Sequence, residues 1–394
     1  MLWAIILGGS AVRVLTAFLT VGLAYDIESF GLVSEALRGD RPLSLYLDVN
    51  TEAVRWPYPP GYFPWILAAD KLSAWVGLPF HGVVQMAPIV SDAVLAWVVQ
   101  AYLGDRGVNE RRRLGAATLI AFGPSFVFVS GYEGQLDSVA LAPAAIALLV
   151  WGRLSSGRRA LAAGVLIGLG AALKTFPLFV VLALLYKVRD LREGAVLVGA
   201  AGAVPLVLIS PWLAVEPQGT LDALRYNGLP GVGGLSLLAQ PSLADYWIRD
   251  IPVALSGLTK ALIEWRAPIM VLGLGMVGAV LLRRRPDPAT GTLLVYLGIF
   301  VLGLNFGPRY LLWALPFALM AGWLREVGAL QAVTVVAAAI LIAAPFEDRW
   351  APMVYVFIML SLLGAFAVWL VALARGDRRG PSPEREGGDT LTAP

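Results

Sequence analysis

Residues 160–186 read ALAAGVLIGLGAALKTFPLFVVLALLY, an apolar run interrupted at its middle by Lys174-Thr175-Phe176-Pro177. The run is longer than the ~20 residues a helix needs to cross a bilayer. Yet it lies between two basic linkers, one with Arg153, Arg158 and Arg159, the other with Lys187, Arg189 and Arg192. Basic linkers mark the cytoplasmic side, so one straight span cannot join these two. Proline removes a helix donor and disfavours helix at the residue before it. Two half-helices that enter from the cytosol, turn near Lys174 and return satisfy both constraints. Irregular backbone at membrane depth is tolerated only against protein or a watery cavity. Lys174 is also poorly placed to snorkel, at ~13 residues from either end of its run. A charge held there needs a counter-ion and marks a functional candidate.

The rest of the chain has the same character. It has 394 residues, 58% of them hydrophobic and 14% charged, with mean hydropathy +0.74. That composition defines a polytopic membrane protein. Apolar segments recur from 2–22 to 351–374 and predict an all-α transmembrane bundle of about 11–13 helices. Residues 1–375 read as a single integral-membrane domain, and the Gly-, Pro- and charge-rich 376–394 as a disordered cytoplasmic tail. Met1 has no basic stretch before the first apolar run, which reads as a retained helix. The linkers sort by charge. Those around Arg106, Arg111-Arg112-Arg113, Arg153, Lys187, Arg283-Arg284-Arg285 and Arg375 are basic. Those at 24–60, 131–137, 214–250, 305–310 and 346–350 are acidic or neutral. Arg111 and Arg284 are therefore expected in the cytoplasm, Glu52 and Gly231 outside. Residues 60–103 look like two spans, although they join an external loop to a basic one. That parity stays open.

Two external loops are long. In 24–60, Ile27, Phe30, Leu32, Val33 and Leu37 recur at helical spacing, with Glu28, Glu35 and Arg38 between them. This predicts a short helix lying in the interface. Tyr46, Trp56, Tyr58, Tyr62 and Trp65 fit an aromatic belt. The second, 214–250, is glycine-rich at Arg225-Tyr226-Asn227-Gly228 and Gly231-Val232-Gly233-Gly234; it lacks a strand–turn–helix frame for phosphate and reads as a flexible flap or gate.

Rare residues restrict the chemistry. There is no cysteine and a single histidine, His81, in a short link between apolar segments. Any general base is then Asp or Glu. A net charge of +3 carries no nucleic-acid footprint. Outside the basic linkers, polar residues crowd onto the acidic side: Asp26, Glu28, Glu133, Gln135, Asp137, Arg225, Arg309 and Tyr310. Lys174 joins them if its run is broken. Tyr310 alone reads as an interfacial anchor. Glu133 and Asp137 are four apart and would share a face of a helical turn. Asp92 and the Asp70-Lys71 pair are embedded as well, the latter suggesting a local ion pair.

Four stretches, taken in order, resemble a known family. They are Asp26-x-Glu28 after the first helix, and Trp56-Pro57-Tyr58-Pro59-Pro60. Next comes Gly134-Gln135-Leu136-Asp137-Ser138, followed by Gly164, Gly168, Leu173-Lys174 and Pro177. The last is Arg309-Tyr310-Leu311-Leu312-Trp313-Ala314-Leu315-Pro316. The arrangement resembles the GT-C superfamily of integral-membrane glycosyltransferases over about residues 1–320. It is nearest to the mannosyltransferase branch that includes the GPI mannosyltransferase I catalytic subunit and related bacterial enzymes.

The resemblance implies transfer of one sugar, mannose, from a polyprenyl-phosphate donor to a lipid, glycan, glycolipid or protein acceptor. It places the reaction on the external face of a bacterial plasma membrane, with inversion. Asp26 is then the base, and Glu28, Tyr58, Glu133, Gln135, Asp137, Lys174, Arg225, Arg309 and Tyr310 bind substrate. Glu28 stands where the family usually has the second Asp of Asp-x-Asp, so a divalent ion (Mg or Mn) near Asp26 and Glu28 is optional. The competing class is a multi-pass transporter or lipid flippase. It would carry acidic groups at the midplane and paired broken helices in two halves. Crowding of the polar groups at one face disfavours it.

Overall fold

The computed structural model describes residues 1–22, 24–51, 54–226, 230–343 and 350–376. Glu52 and the tail from 377 lie outside the described residues. The fold is helical, with no strand among the described residues. Its main helices are α1 (Leu2–Leu19), α2 (Ala24–Arg38), α3 (Phe63–Val76), α4 (Phe80–Val84), α5 (Met86–Gly104), α6 (Glu110–Ala121), α7 (Asp137–Arg153) and α8 (Ser156–Ala171). They continue as α9 (Val180–Leu185), α10 (Leu191–Val215), α11 (Pro217–Leu224), α12 (Gly257–Arg284), α13 (Pro288–Leu302), α14 (Leu315–Met320), α15 (Leu324–Ala343) and α16 (Ala351–Arg375). Several start at side-chain caps: Asn109 accepts from Arg112 N, Asp190 from Glu193 N, Ser256 from Thr259 N, and Asp287 from Ala289 N and Thr290 N. Pro288 follows its cap at the first helical position, where a missing N–H costs nothing.

Among the described residues, six helical stretches are long and apolar enough to cross a membrane: Leu2–Leu19, Phe80–Gly104, Glu110–Glu133, Leu191–Val215, Gly257–Arg284 and Ala351–Arg375. Phe176–Leu185 and Pro288–Leu302 are shorter apolar helices, and Leu324–Ala343 adds a further helix of 20 residues.

The bundle has a basic end and an acidic end. At the basic end Arg153 bonds Asp105 (2.7 Å), Arg106 meets Asp287 (3.2 Å), and Tyr186 donates to the Pro286 carbonyl (2.7 Å). Gly376, after α16, packs beside the Arg284 guanidinium. At the other end, the Trp212 indole in α10 donates to Pro42 O (3.1 Å), and Tyr25 donates to Val54 O (3.0 Å).

The broken run forms the hairpin that the sequence predicts. α8 stops at Ala171, a 3-10 turn follows at Phe176–Phe179, and α9 returns. Both feet lie together, since Arg159 of α8 bonds Lys187 O (3.2 Å) and the Glu193 carboxylate (2.7 Å). The hairpin is wedged between α7 and α10 by small residues. A Cβ on Gly164 would sit 2.7 Å from Leu197 O, and one on Gly168 2.9 Å from the Val204 Cβ. Close backbone approach of this kind is how helices associate in lipid.

Residues 60–103 contain a second hairpin, which resolves their parity. Tyr62 Oη and Trp65 Nε1 both donate to Val84 O, at 3.1 and 2.9 Å. The chain therefore leaves through α3, reverses at Gly77 (φ +69°) and comes back through α4 to its starting level. Only α5 then runs the length of the bundle.

Loop 24–60 and this second hairpin fold on one another. α2 is the predicted amphipathic helix, and Ile27, Phe30 and Val33 are buried on it. The aromatic belt is not what forms. Tyr46, Trp56 and Tyr62 are each 1% exposed, because α2 and α3 close over them. Phe30, Trp56, Tyr62 and Phe63 pack ring to ring at 5.7–5.9 Å and make a separate core above the acidic end. Asp70 pairs with Arg38 of α2 (3.5 Å), not with Lys71. The glycine stretch is likewise fastened where described. Leu235 N and Ser236 N donate to Gly303 O and Leu304 O, and Tyr355 donates to Val232 O. Residues 232–236 are thus tied to the rest of the bundle, while Asn227 and Gly228 of that loop lie outside the described residues.

Deep in the bundle, Arg13 and Asp92 form an ion pair (2.8 Å, 1% exposed on each side). Arg13 also donates to the carbonyls of Gly9, Ala121 and Ile120, and Ser138 donates to Asp92 (2.5 Å). A buried pair persists only when its remaining donors and lone pairs are met in this way. This pair fastens α1 and α5 to the first turn of α7, next to Asp137.

Candidate active site

Five segments bring polar side chains together at the acidic end. Asp26 stands in the first turn of α2. Arg309 stands in the 3-10 helix Pro308–Trp313, and its Nη1 lies 3.2 Å from Asp26 Oδ2. Val127–Glu133 is wound as a π-helix, a form concentrated at functional positions. Gly134 (φ +71°) ends it in the left-handed region, where an added Cβ would press on Gln85. α7 starts three residues later at Asp137. Lys174 is carried in at the break between α8 and α9.

Lys174 is fully engaged. Its Nζ donates to Asp137 Oδ2 (2.7 Å) and Gln135 Oε1 (3.3 Å) and lies 4.7 Å from the centre of the Tyr58 ring. Trp313 Nε1 donates to the other Asp137 oxygen (2.6 Å). The Trp313 indole stacks on Phe176 (4.2 Å, 3° between planes) and on Tyr310 (4.7 Å). Tyr58 is held from behind by Tyr46, which donates to its carbonyl (2.8 Å), and burial pushes its phenol up to about 12. It is a hydroxyl donor and not a base at neutral pH.

The carboxylates differ in how they are bonded. Asp137 has both oxygens occupied. Asp26 shares one bond with Arg309, and the side chains of that pair are 18% and 30% exposed. Glu133 is 4% exposed, and its Oε2 has no hydrogen-bond partner. Arg309, Asp26, Asp137 and Lys174 are its charged neighbours. The other N–H groups of Arg309 make no protein hydrogen bond among the described residues. The arrangement therefore offers one buried carboxylate oxygen, one carboxylate masked by an arginine, and a guanidinium with donors to give.

Asp26, Tyr58, Glu133, Gln135, Asp137, Lys174, Arg309 and Tyr310 thus converge. Two predicted residues do not join them. Glu28 is 62% exposed and bonds Arg55 (3.4 Å), because positions i and i+2 of a helix point apart. Arg225, 69% exposed, ends α11 with its guanidinium 3.9 Å from Asp222. Asp26 and Glu28, the pair that the optional Mg or Mn would share, therefore face different partners, Arg309 and Arg55. No group of three His, Asp or Glu among the described residues could hold a metal.

Sequence reasoning missed Trp313, Tyr226 and Gln85. Trp313 had a signal, since it stands four residues after Arg309 in the stretch that carries the resemblance. Tyr226 stands near Arg309, Tyr310 and Tyr25. Gln85 is fully buried under Gly134 with both polar atoms unpartnered, and nothing in its sequence context distinguishes it.

The model of one family, glycosyltransferase family 87, matches residues 56–308. The match includes Tyr58, Glu133, Gln135, Asp137 and Lys174, and stops one residue before Arg309. Comparison with curated proteins gives no match.

Proposed function

The chain belongs to glycosyltransferase family 87, and from that premise we propose that it transfers one mannosyl unit from a polyprenyl-phosphate donor to an acceptor hydroxyl. The acceptor is a lipid, glycan or protein on the external face of a bacterial plasma membrane. The observation that carries the reading is the Asp26–Arg309 pair. It sets a carboxylate beside a guanidinium with spare donors, at the end of a membrane bundle.

In this reading the donor phosphate engages the open N–H groups of Arg309 and draws it off Asp26. The freed carboxylate accepts the acceptor's proton. The acceptor oxygen bonds the sugar's anomeric carbon as the bond to the phosphate oxygen breaks. Polyprenyl phosphate leaves with that electron pair, and Arg309 meets its charge. Attack opposite the leaving group inverts the anomeric centre. Glu133 Oε2 accepts hydrogen bonds from sugar hydroxyls, Gln135 and Tyr58 line the sugar, and Tyr310 and Trp313 offer it an aromatic face. The Lys174–Asp137 pair holds that wall in place. No step requires a metal.

Single-turnover transfer from a defined polyprenyl-phosphate mannose, by purified protein, tests the proposal. Wild type is expected to transfer the sugar, and Arg309→Met to weaken donor binding. Absence of transfer from any polyprenyl-phosphate hexose would refute it.

A further inference from the structure

At the end of the bundle away from Asp26, the ends of α5 and α7, the start of α13 and the feet of the first hairpin enclose a cavity of about 450 Å³. Its wall is divided chemically. Leu148, Leu149 and Trp151, each 5% exposed or less, form its packed back, while Arg106, Arg159 and Lys187 supply a cationic side. Asp105 also reaches the cavity, but Arg153 occupies both of its oxygens (2.7 and 3.0 Å).

The three cations are unequally engaged. Arg159 is committed to Glu193 and Lys187 O, with its guanidinium 4.5 Å from the centre of the Trp151 ring. Arg106 makes one side-chain bond, to Asp287 at 3.2 Å, and both partners are over a third exposed. Lys187 has three N–H donors and one acceptor, the Arg285 carbonyl at 3.1 Å. Burial pushes its ammonium below the usual lysine range, and Asp287 opposes this only in part. The site thus holds positive charge that the protein does not fully answer. Gly152 stands at the mouth, where an added Cβ would meet no atom within 4 Å.

We propose that this cavity binds the headgroup of an anionic membrane phospholipid. The phosphate sits on Lys187 and Arg106, and the glycerol lies at the opening beside Gly152, with the acyl chains leaving toward the bilayer. The cavity opens where the long helices end, at the depth of headgroups, where the anionic group at hand is a lipid's.

The test is lipid retention by the full-length protein in native mass spectrometry, with phosphatidylglycerol, phosphatidylcholine and inorganic phosphate as probes. Wild type is expected to retain phosphatidylglycerol over phosphatidylcholine, with inorganic phosphate failing to displace it. Lys187→Met should reduce that retention about fivefold. Gly152→Trp should reduce it as well, by covering the mouth while every charge stays. The open space at Gly152 keeps this variant folded, so it carries the test if Lys187→Met does not fold. Lys260→Met, at the other end of the bundle, should change nothing. Equal retention of the two lipids overturns the proposal, and so does retention unaffected by both cavity variants. Displacement by inorganic phosphate assigns the site to the free anion and equally overturns it.

Discussion

Asp26 and Asp137 are both paired aspartates, yet substitution should affect them differently. Asp26 is partly exposed and holds Arg309 by one bond. Asp26→Asn keeps the shape and leaves Arg309 in a wet setting, so the fold should survive. Single-turnover transfer should fall by roughly two to four orders of magnitude, the usual worth of a general base, with donor binding retained. A wild-type rate would pass the role to Glu133. The Lys174–Asp137 pair is buried, at 6% and 0% exposed. Lys174→Met strands a carboxylate inside the bundle and should cost about 3–5 kcal/mol of stability. Lys174→Met with Asp137→Asn removes both charges and should recover most of it, read as the thermal midpoint in detergent. Sequence alone singled out Asp26, Lys174 and Arg309, which the fold brings to one end of the bundle, because charges next to apolar runs stand out. It grouped Glu28 with Asp26, although on the helix it predicted there, residues two apart face different ways.

Among the elements, the hairpin of α8 and α9 was legible and that of α3 and α4 was not. The first carries a lysine and a proline at its centre, between two basic linkers. The second reverses at Gly77 and Pro79 amid apolar residues, so by length and hydropathy it passes for a span. The aromatic residues of 46–63 misled for a related reason. An amphipathic ring reads alike at a membrane interface and in a small core, and only the closure of α2 over α3 separates the two. Packing of α8 gives an element-scale prediction. Gly168→Leu must push against Val204 and Ala201, destabilising by about 1–3 kcal/mol and displacing Lys174 at the tip. Gly199→Leu on α10 has open space and should be neutral. Thermal unfolding and transfer rate check both, and equal effects would show that the α8–α10 contact is slack.

For the whole molecule, charge sorting makes the simplest prediction. Arg111 belongs to the basic end and Lys260 to the start of α12 at the other, and both are exposed. With no native cysteine, Arg111→Cys and Lys260→Cys can each be labelled alone. An impermeant reagent added to intact cells should reach Lys260→Cys and not Arg111→Cys; the opposite result would invert the orientation. The Asp26–Arg309 pair adds a constraint of a different kind, because its partners are 283 positions apart in the chain. Ribosomes add ~5–20 residues per second, so Asp26 emerges many seconds before its cation exists. Until then its carboxylate waits without a guanidinium, and Glu133 without its strongest positive neighbour. A message cut short anywhere before codon 309 yields a protein that can lodge in the bilayer yet lacks the cation of the Asp26–Arg309 pair. On the proposed mechanism, catalysis waits on the last third of synthesis, and products truncated before Arg309 are expected to be silent in a transfer assay.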